Sequence, residues 1–116
     1  MENNLFISIL ICCYNSEKYI SNTLDSILIQ KYSNYEIIIV DDGSEDNTKN
    51  IIEKKLFNKK YIYKFQKNKG LSEARNLGLS LSKSNYIFIL DHDDIMHKNR
   101  LENQVKEIVN NKDYSV

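Results

Sequence analysis

The sequence predicts an α/β domain with a mostly parallel sheet and helices on both of its faces. Apolar segments typical of strands alternate with segments whose apolar residues recur at helical spacing, in the order βαβαβαβα. Two of these strands run directly into carboxylates, at residues 41–42 and 91–94. Open α/β sheets bind ligands beyond the carboxyl ends of their strands, so the two acidic segments predict one ligand crevice.

The first strand and helix are predicted from residues 5–28. Residues 5–11 are nearly all apolar, as expected of a central strand. Ser16 is expected to be the N-cap of the following helix, because its hydroxyl can accept a hydrogen bond from a free N–H of the first turn. The apolar face of this helix is formed by Ile20, Leu24, Ile27 and Leu28.

The second and third strands are predicted at residues 35–40 and 61–65. Gly43 allows a turn after the second strand, and Ser44 or Asp46 is expected to cap the helix that follows. The third strand alternates in polarity and is expected to be the more exposed one. The apolar residues of the intervening helix are Ile51, Ile52 and Leu56.

The last part of the chain adds a turn at 68–70, a third helix, an apolar strand at 86–90 that we expect to be buried, and a fourth helix. Apolar residues mark the third helix at Ala74, Leu77, Gly78 and Leu81, and the fourth at Leu101, Val105, Ile108 and Val109.

A strand order of 3-2-1-4 would place the topological switch between the first and fourth strands. A ligand would then lie near Tyr14 and Asp91, with Asp41 and Asp42 lining the same crevice.

The composition limits the classes of function. The 116 residues suit one domain, and equal numbers of basic and acidic residues, 16 of each, argue against a polybasic nucleic-acid-binding protein while leaving room for a local patch. No apolar run approaches the ~20 residues of a membrane helix, and the N-terminus lacks the basic region of a signal peptide. We therefore expect no nucleic-acid partner, no transmembrane segment, and a location in the cytoplasm, either free or at the inner face of the membrane.

The carboxylates after the fourth strand are candidate metal ligands. Asp91 and Asp93 offer the clustered oxygens that Mg²⁺ or Mn²⁺ prefers, and such a cation usually manages a diphosphate. The three glycines form no phosphate-binding loop, so a metal would have to carry the phosphate charge. The alternative is an acidic turn that favours the start of the next helix. His92 and His97 lack helical metal-ligand spacing with the aspartates, and we do not expect them to be ligands.

Three further side chains are candidates for binding a nucleotide. Tyr14 offers a flat ring for stacking on a base, although it also suits a surface turn. Asp42 can accept a hydrogen bond from a base or a ribose, or it can be a helix-entry carboxylate. Arg75 can approach a base or a diphosphate, or it can be a solvated helix charge. The adjacent Cys12 and Cys13 are expected to be reduced and at least partly buried, because a disulfide between neighbours is strained.

Four segments resemble the N-terminal part of family 2 inverting glycosyltransferases, which have the Rossmann-like GT-A fold. They are ISILICCYN (7–15), EIIIVDDGS (36–44), NKGLSEARN (68–76) and DHDD (91–94), in family order and at family spacing. The resemblance implies a nucleotide-diphosphate sugar donor, most often a uridine diphosphate sugar, and a Mg²⁺ or Mn²⁺ cofactor. By position, Cys12 and Tyr14 would line the base pocket and Asp42 would contact the base. Asp91 would reach the ribose or a water on the metal, and Asp93 would bind the metal.

Arg75 lies in the segment that borders the nucleotide in this family. The chain departs from the family at Cys12-Cys13, where Pro-Thr is frequent, and at Lys98, where proline is frequent; neither change removes a carboxylate. Family members are longer, with the acceptor-binding half and the catalytic base in later residues. We therefore expect residues 1–116 to be the nucleotide-sugar-binding part of a truncated GT-A domain, inactive alone and able to self-associate. The acceptor, whether a sugar, a lipid-linked group or a protein, stays open.

Other functions are compatible with an α/β sheet that carries acidic strand ends. One alternative is a non-catalytic nucleotide- or partner-binding module, or a remnant that has lost its chemistry. A haloacid-dehalogenase-type phosphatase also has an Asp-x-Asp pattern, but its nucleophile normally ends the first strand, where this chain has Cys12-Cys13. A response-regulator receiver would need a lysine after a fifth strand, and no fifth strand is evident.

Overall fold

A computed structural model describes residues 4–110, in which four strands and four helices alternate along the chain. The strands are β1 (Ile7–Cys13), β2 (Tyr35–Asp41), β3 (Tyr61–Phe65) and β4 (Tyr86–Asp91), and the helices are α1 (Ile20–Leu28), α2 (Thr48–Lys55), α3 (Leu71–Leu81) and α4 (Arg100–Asn110). All strand pairs are parallel and the order is β3-β2-β1-β4. The predicted fold class is therefore confirmed, and the strand order is the one that would place the topological switch between β1 and β4. None of the helices within 4–110 has the length and apolar character needed to span a bilayer.

Helices cover both faces of the sheet, but unequally. Buried residues of α1, α2 and α4 pack on the face that carries Ile9 and Ile11 of β1. Helix α3 packs on the opposite face, where Ala74 meets Leu10 of β1 and Ile38 of β2. Because both faces are covered, every residue of β1 is buried, as is typical of a central parallel strand.

Helix α3 lies very close to β1 at Gly78. A Cβ atom on Gly78 would lie 2.2 Å from Cδ1 of Leu10, which is far inside van der Waals contact. Ala74, one turn earlier on α3, is also fully buried. Small residues at these two positions therefore allow α3 to cover the sheet.

Strand β1 begins and ends two residues later than predicted, so the adjacent cysteines lie within it. Cys12 and Cys13 are both buried, free thiols, as expected. They belong to the packing clusters on opposite faces of the sheet, because successive residues of a strand alternate in direction. This alternation keeps the two sulfur atoms apart.

The prediction that Ser16 caps α1 is wrong. Helix α1 begins at Ile20, and the carbonyl oxygen of Ser16 accepts the N–H groups of Tyr19 and Ile20, each at 2.9 Å. The hydroxyl of Ser16 instead donates to the carbonyl oxygen of Tyr14 in the loop after β1, and its oxygen lies 2.8 Å from Nδ1 of His92. Asp46, in contrast, does hold the start of α2, since its Oδ1 accepts the N–H of Thr48 at 2.9 Å.

Strand β4 is more exposed than the buried strand we predicted. Within residues 4–110 it pairs with β1 alone and forms one edge of the sheet. Leu90 is its one buried residue, and Ile89 is 44% exposed. The apolar residues of β4 predict burial, but burial also depends on which elements pack beside the strand, and an edge strand has a neighbouring strand on one side only.

Candidate functional site

A cavity of about 350 Å³ opens at the carboxyl ends of β1, β2 and β4. The parallel register explains the convergence, because Cys12 pairs with Asp91 of β4 while Cys13 pairs with Asp41 of β2. Cys12, Tyr14, Asp42, Asp91 and Asp93 line the cavity as predicted, whereas Arg75 and Asp41 do not. The lining residues are Cys12, Cys13, Tyr14, Asp42, Leu71, Ala74, Asp91, His92 and Asp93.

Asp41 does not line this cavity, and that prediction is wrong. Its side chain is fully buried, where Oδ1 accepts the N–H of Ser44 at 2.8 Å and Oδ2 accepts the hydroxyl of Tyr63 at 2.6 Å. The pKa of Tyr63 is raised far above its usual range, mainly by burial and next by this hydrogen bond to Asp41. Asp41 is therefore a structural carboxylate that joins β2 to β3.

Asp42 lines the cavity while its carboxylate also organises the loop before α3. Its Oδ1 accepts Nε2 of Gln66 at 2.8 Å and the N–H of Lys69 at 2.6 Å, and its Oδ2 accepts the N–H of Gly70 at 3.0 Å. Desolvation acts to raise the pKa of Asp42, but these three hydrogen bonds outweigh it and hold the pKa below its ordinary value. Gly70 has φ +100°, a conformation that glycine adopts without strain.

The carboxylate of Asp42 keeps capacity for a ligand. A carboxylate has about four acceptor sites, and the loop occupies three of them. The remaining site is on Oδ2. Asp42 can therefore accept a donor N–H or O–H from a bound molecule without releasing the loop.

Cys12 and Tyr14 line the cavity, and Arg75 belongs to α3, which packs on the face of the sheet that carries Cys12. The ring of Tyr14 is 45% exposed and so remains available for stacking. Burial raises the pKa of the Cys12 thiol, and the positive charge of Arg75 acts in the opposite direction. The guanidinium is therefore near enough to influence the cavity, although Arg75 is exposed and does not line it.

Three exposed carboxylates gather at the end of β4. Oxygen atoms of Asp91, Asp93 and Asp94 lie within 4.8 Å of one another. The chain turns directly after β4, where the N–H of Asp94 donates to the carbonyl oxygen of Asp91 at 3.0 Å. This turn brings Asp94 beside the other two carboxylates. Three like charges at this spacing repel, and a hard divalent cation with oxygen ligands would relieve that repulsion. The donor set fits Mg²⁺ or Mn²⁺, and Asp94 joins the two predicted ligands.

His92 is a cavity residue that the sequence did not indicate. Its Nδ1 lies 2.8 Å from the hydroxyl oxygen of Ser16, and its ring meets that of Tyr19 edge-on. The sequence feature that could have identified His92 is its position between Asp91 and Asp93. Ser16 lies 76 residues earlier in the chain, so this partner emerges only in the fold.

Buried polar side chains of α1 hold the loop that follows β4. The hydroxyl of Thr23 donates to the carbonyl oxygen of His92 at 2.9 Å, and the hydroxyl oxygen of Ser26 accepts the N–H of Met96 at 2.9 Å. Gln30, two residues after the end of α1, donates from Nε2 to the carbonyl oxygen of His97 in this loop, and its Oε1 accepts the N–H of Leu101 in the first turn of α4. Helix α1 therefore determines the course of the loop that carries the acidic cluster.

The sequence profile described as glycosyl transferase family 2 matches residues 8–116. An uncharacterized glycosyltransferase of Rickettsia prowazekii (strain Madrid E) is 36% identical over 121 residues, which cover 100% of this chain and 37% of that protein. The glycosyltransferase GlyG of Streptococcus pneumoniae is 39% identical over 104 residues, covering 88% of this chain and 35% of that protein. The chain thus spans little more than a third of the length of these relatives.

Solved structures share the same architecture. S. aureus TarS (1–349) superposes with a TM-score of 0.83 at 29% identity, covering 90% of this chain and 32% of that one, and it has also been solved with UDP and with UDP-GlcNAc. A mannosyltransferase from Pyrobaculum calidifontis, solved with GDP-Man and Mn²⁺, has a TM-score of 0.78 at 20% identity, covering 89% of this chain and 31% of that one. These matches confirm the prediction of a partial, Rossmann-like GT-A fold.

Proposed function

Because the chain belongs to glycosyl transferase family 2, we propose that it forms the donor-binding part of an enzyme that transfers a sugar from a nucleotide diphosphate to an acceptor hydroxyl. The observation that carries this proposal is the cavity, which joins an exposed aromatic ring and a fixed carboxylate to an acidic cluster. TarS, at 29% identity, binds UDP and UDP-GlcNAc. A uridine diphosphate sugar is therefore the donor class to test first.

We assign the nucleoside end of the donor to the side of the cavity formed by Cys12, Tyr14 and Asp42. The exposed ring of Tyr14 can stack on the base, and a stacked base typically contributes about 1–3 kcal/mol. The carboxylate of Asp42 is held by three hydrogen bonds, so little conformational freedom is lost when it accepts a base N–H. Arg75 adds positive charge at the rim and favours an anionic ligand.

We assign the diphosphate end of the donor to the acidic cluster. Asp93 and Asp91, with Asp94 beside them, would hold Mg²⁺ or Mn²⁺. When bound, the cation would neutralise charge on the diphosphate leaving group. Asp91 is also paired in register with Cys12, which places it at the boundary between the nucleoside side and the acidic side, where a ribose hydroxyl could be recognised.

The proposed reaction is an inverting displacement. The acceptor oxygen bonds to the anomeric carbon, the bond from that carbon to the diphosphate oxygen breaks, and a carboxylate base takes the proton of the acceptor hydroxyl. Among residues 4–110 we assign no side chain to this base. Inactivity of the chain by itself stays a prediction.

Titration calorimetry with UDP in the presence of Mn²⁺ tests the donor site. The 116-residue chain should bind UDP, and Asp42→Ala should weaken binding by about tenfold or more, a loss of about 1.4 kcal/mol. Asp25→Ala is the matched control, because it removes a carboxylate on α1 that pairs with Lys55 away from the cavity. The proposal is wrong if UDP, UDP-GlcNAc and GDP all fail to bind, or if the two variants behave alike.

A further inference from the structure

Charge is strongly segregated along this chain despite its zero net charge. Residues 54–69 contain no carboxylate and seven of the 16 basic residues of the sequence, namely Lys54, Lys55, Lys59, Lys60, Lys64, Lys67 and Lys69. This segment comprises the end of α2, the turn at residues 56–60, the strand β3 and part of the loop to α3. Strand β3 is the edge of the sheet opposite to β4, whose end carries the acidic cluster. Lys67 and Lys69 follow β3 in the loop that binds Asp42, whereas Lys54, Lys59 and Lys60 precede β3 and so lie at the other end of that strand.

An aromatic ring projects from the middle of the lysines. Phe57 is 77% exposed, more than any other large hydrophobic residue within 4–110. The residue before it, Leu56, is fully buried, and its carbonyl oxygen accepts the N–H of Lys59 in a tight turn at 2.9 Å. Because Leu56 anchors this turn in the core, the fold itself holds Phe57 outward.

Three exposed lysines flank this ring. Lys54 and Phe57 share a shallow groove with Glu53, while Lys59 and Lys60, two and three residues after Phe57, line a second groove. Within residues 4–110 these three lysines form no ion pair, whereas Lys55 is tied to Asp25 at 2.9 Å and is excluded from the set. We call Lys54, Phe57, Lys59 and Lys60 the Phe57 surface.

We propose that the Phe57 surface docks on a lipid bilayer that carries anionic headgroups. Lysine side chains can direct their ammonium groups to lipid phosphates while an aromatic ring between them enters the interface. Phe57 is 77% exposed, so a medium that surrounds the ring is a better match than a stacked base, which would cover a single face. Charge complementarity comes from the run of lysines without carboxylates. Its acidic neighbours are Glu53 in the groove of Phe57 and Glu36 in the groove of Lys59 and Lys60, where Oε2 of Glu36 already accepts the Ser8 hydroxyl and the N–H of Lys83.

This docking mode also gives the molecule an orientation. The Phe57 surface precedes β3 and so lies at the amino-terminal edge of the sheet, whereas the cavity opens at the carboxyl ends of the strands. The strands are parallel, so these two edges face in opposite directions. The cavity of a docked molecule would therefore open toward water, where a charged small molecule can reach it.

Vesicle flotation tests the electrostatic part of the proposal. The 116-residue chain should float with vesicles of phosphatidylcholine and phosphatidylglycerol but not with phosphatidylcholine alone, and added salt should weaken the binding. Lys59→Gln with Lys60→Gln should reduce the affinity about 30-fold, since a lysine near an anionic surface contributes about 1 kcal/mol. Lys31→Gln with Lys98→Gln is the matched control, because it changes the net charge equally at exposed positions outside the surface.

Substitution of the ring tests the interfacial part. Phe57→Ser should weaken vesicle binding without any change in charge, whereas Phe65→Ser, at a residue that is 55% exposed at the far end of β3, should not. Circular dichroism verifies that the variants are folded. The proposal is overturned if both vesicle types bind alike or neither binds, or if the two phenylalanine variants behave identically. Binding of a labelled single-stranded RNA in place of vesicles would overturn it in favour of a nucleic-acid partner.

Discussion

The hydroxyl of Thr23 donates a hydrogen bond of 2.9 Å to the carbonyl oxygen of His92, although 69 residues separate them. Thr23 is fully buried in α1, and His92 lies between two members of the acidic cluster. A residue with no access to the cavity therefore helps to set the position of the carboxylates. The geometry of the acidic cluster depends on how α1 packs, as well as on its own sequence.

Replacing Thr23 tests this dependence. Thr23→Val keeps the shape of the side chain but leaves the His92 carbonyl without its partner, a loss that typically costs about 1–3 kcal/mol. We expect lower stability and, in addition, weaker Mn²⁺ binding by electron paramagnetic resonance at a temperature where the variant is folded. Thr23→Ser should restore both properties because it restores the hydroxyl. Unchanged Mn²⁺ affinity in folded Thr23→Val would show that the bond serves stability alone.

Metal removal is expected to weaken nucleotide binding. UDP should bind in the presence of Mg²⁺ or Mn²⁺ and at least about tenfold more weakly in chelator, a difference of about 1.4 kcal/mol. Asp93→Asn should reproduce the effect of chelator, because an amide oxygen replaces a charged ligand. Calorimetry of both proteins under both conditions provides the measurement, with Asp25→Asn as the control. Equal affinity with and without metal would refute the metal role of the cluster.

Gly78→Ala should destabilise the fold. The added Cβ would lie 2.2 Å from Leu10, and overpacking of this kind typically costs about 1–3 kcal/mol. The better helix propensity of alanine, worth up to about 1 kcal/mol, offsets part of that cost. Urea unfolding should show a net loss, and Leu10→Ala combined with Gly78→Ala should be less destabilised than the sum of the single variants. Strict additivity would mean that α3 relaxes away from β1.

Acid should weaken the fold through Asp42. Its pKa in the folded chain lies below the ordinary value of about 4, so the unfolded chain binds the proton more readily. The stabilisation is therefore present above about pH 4 and is lost as the pH falls further toward the folded pKa. Asp42→Asn should lower stability at neutral pH and show a smaller acid-induced loss in urea unfolding series. Parallel pH curves for the two proteins would contradict this interpretation.

Self-association through the open edge of β4 is a further expectation. Ile89 and the cavity between β4 and α4, which is lined in part by Ile87, Phe88 and Ile108, expose apolar surface. Light scattering should show association at high concentration, and Ile89→Lys should reduce it. Leu79→Lys is the control, because Leu79 on α3 is 45% exposed, as Ile89 is 44% exposed. A monomer at every concentration would contradict the prediction.

Local patterns were sufficient for the fold class, the order of the elements and most of the site. Strand and helix periodicities repeat within a few residues, and carboxylates at strand ends converge in any parallel sheet. For these reasons Asp42, Asp91 and Asp93 could be placed in one cavity from sequence alone. The resemblance of four segments to a known family added the nucleotide-sugar interpretation.

Tertiary structure decided which of the polar residues belong to the cavity. Asp41 and Asp42 are neighbours with the same side chain, but strand alternation turns Asp41 into the core, where Tyr63 binds it, and leaves Asp42 at the surface of the cavity. Ser16 binds His92 instead of capping α1. Such pairings join residues that are distant in sequence. They depend on how helices pack on the sheet, and no periodicity within a single element carries that information.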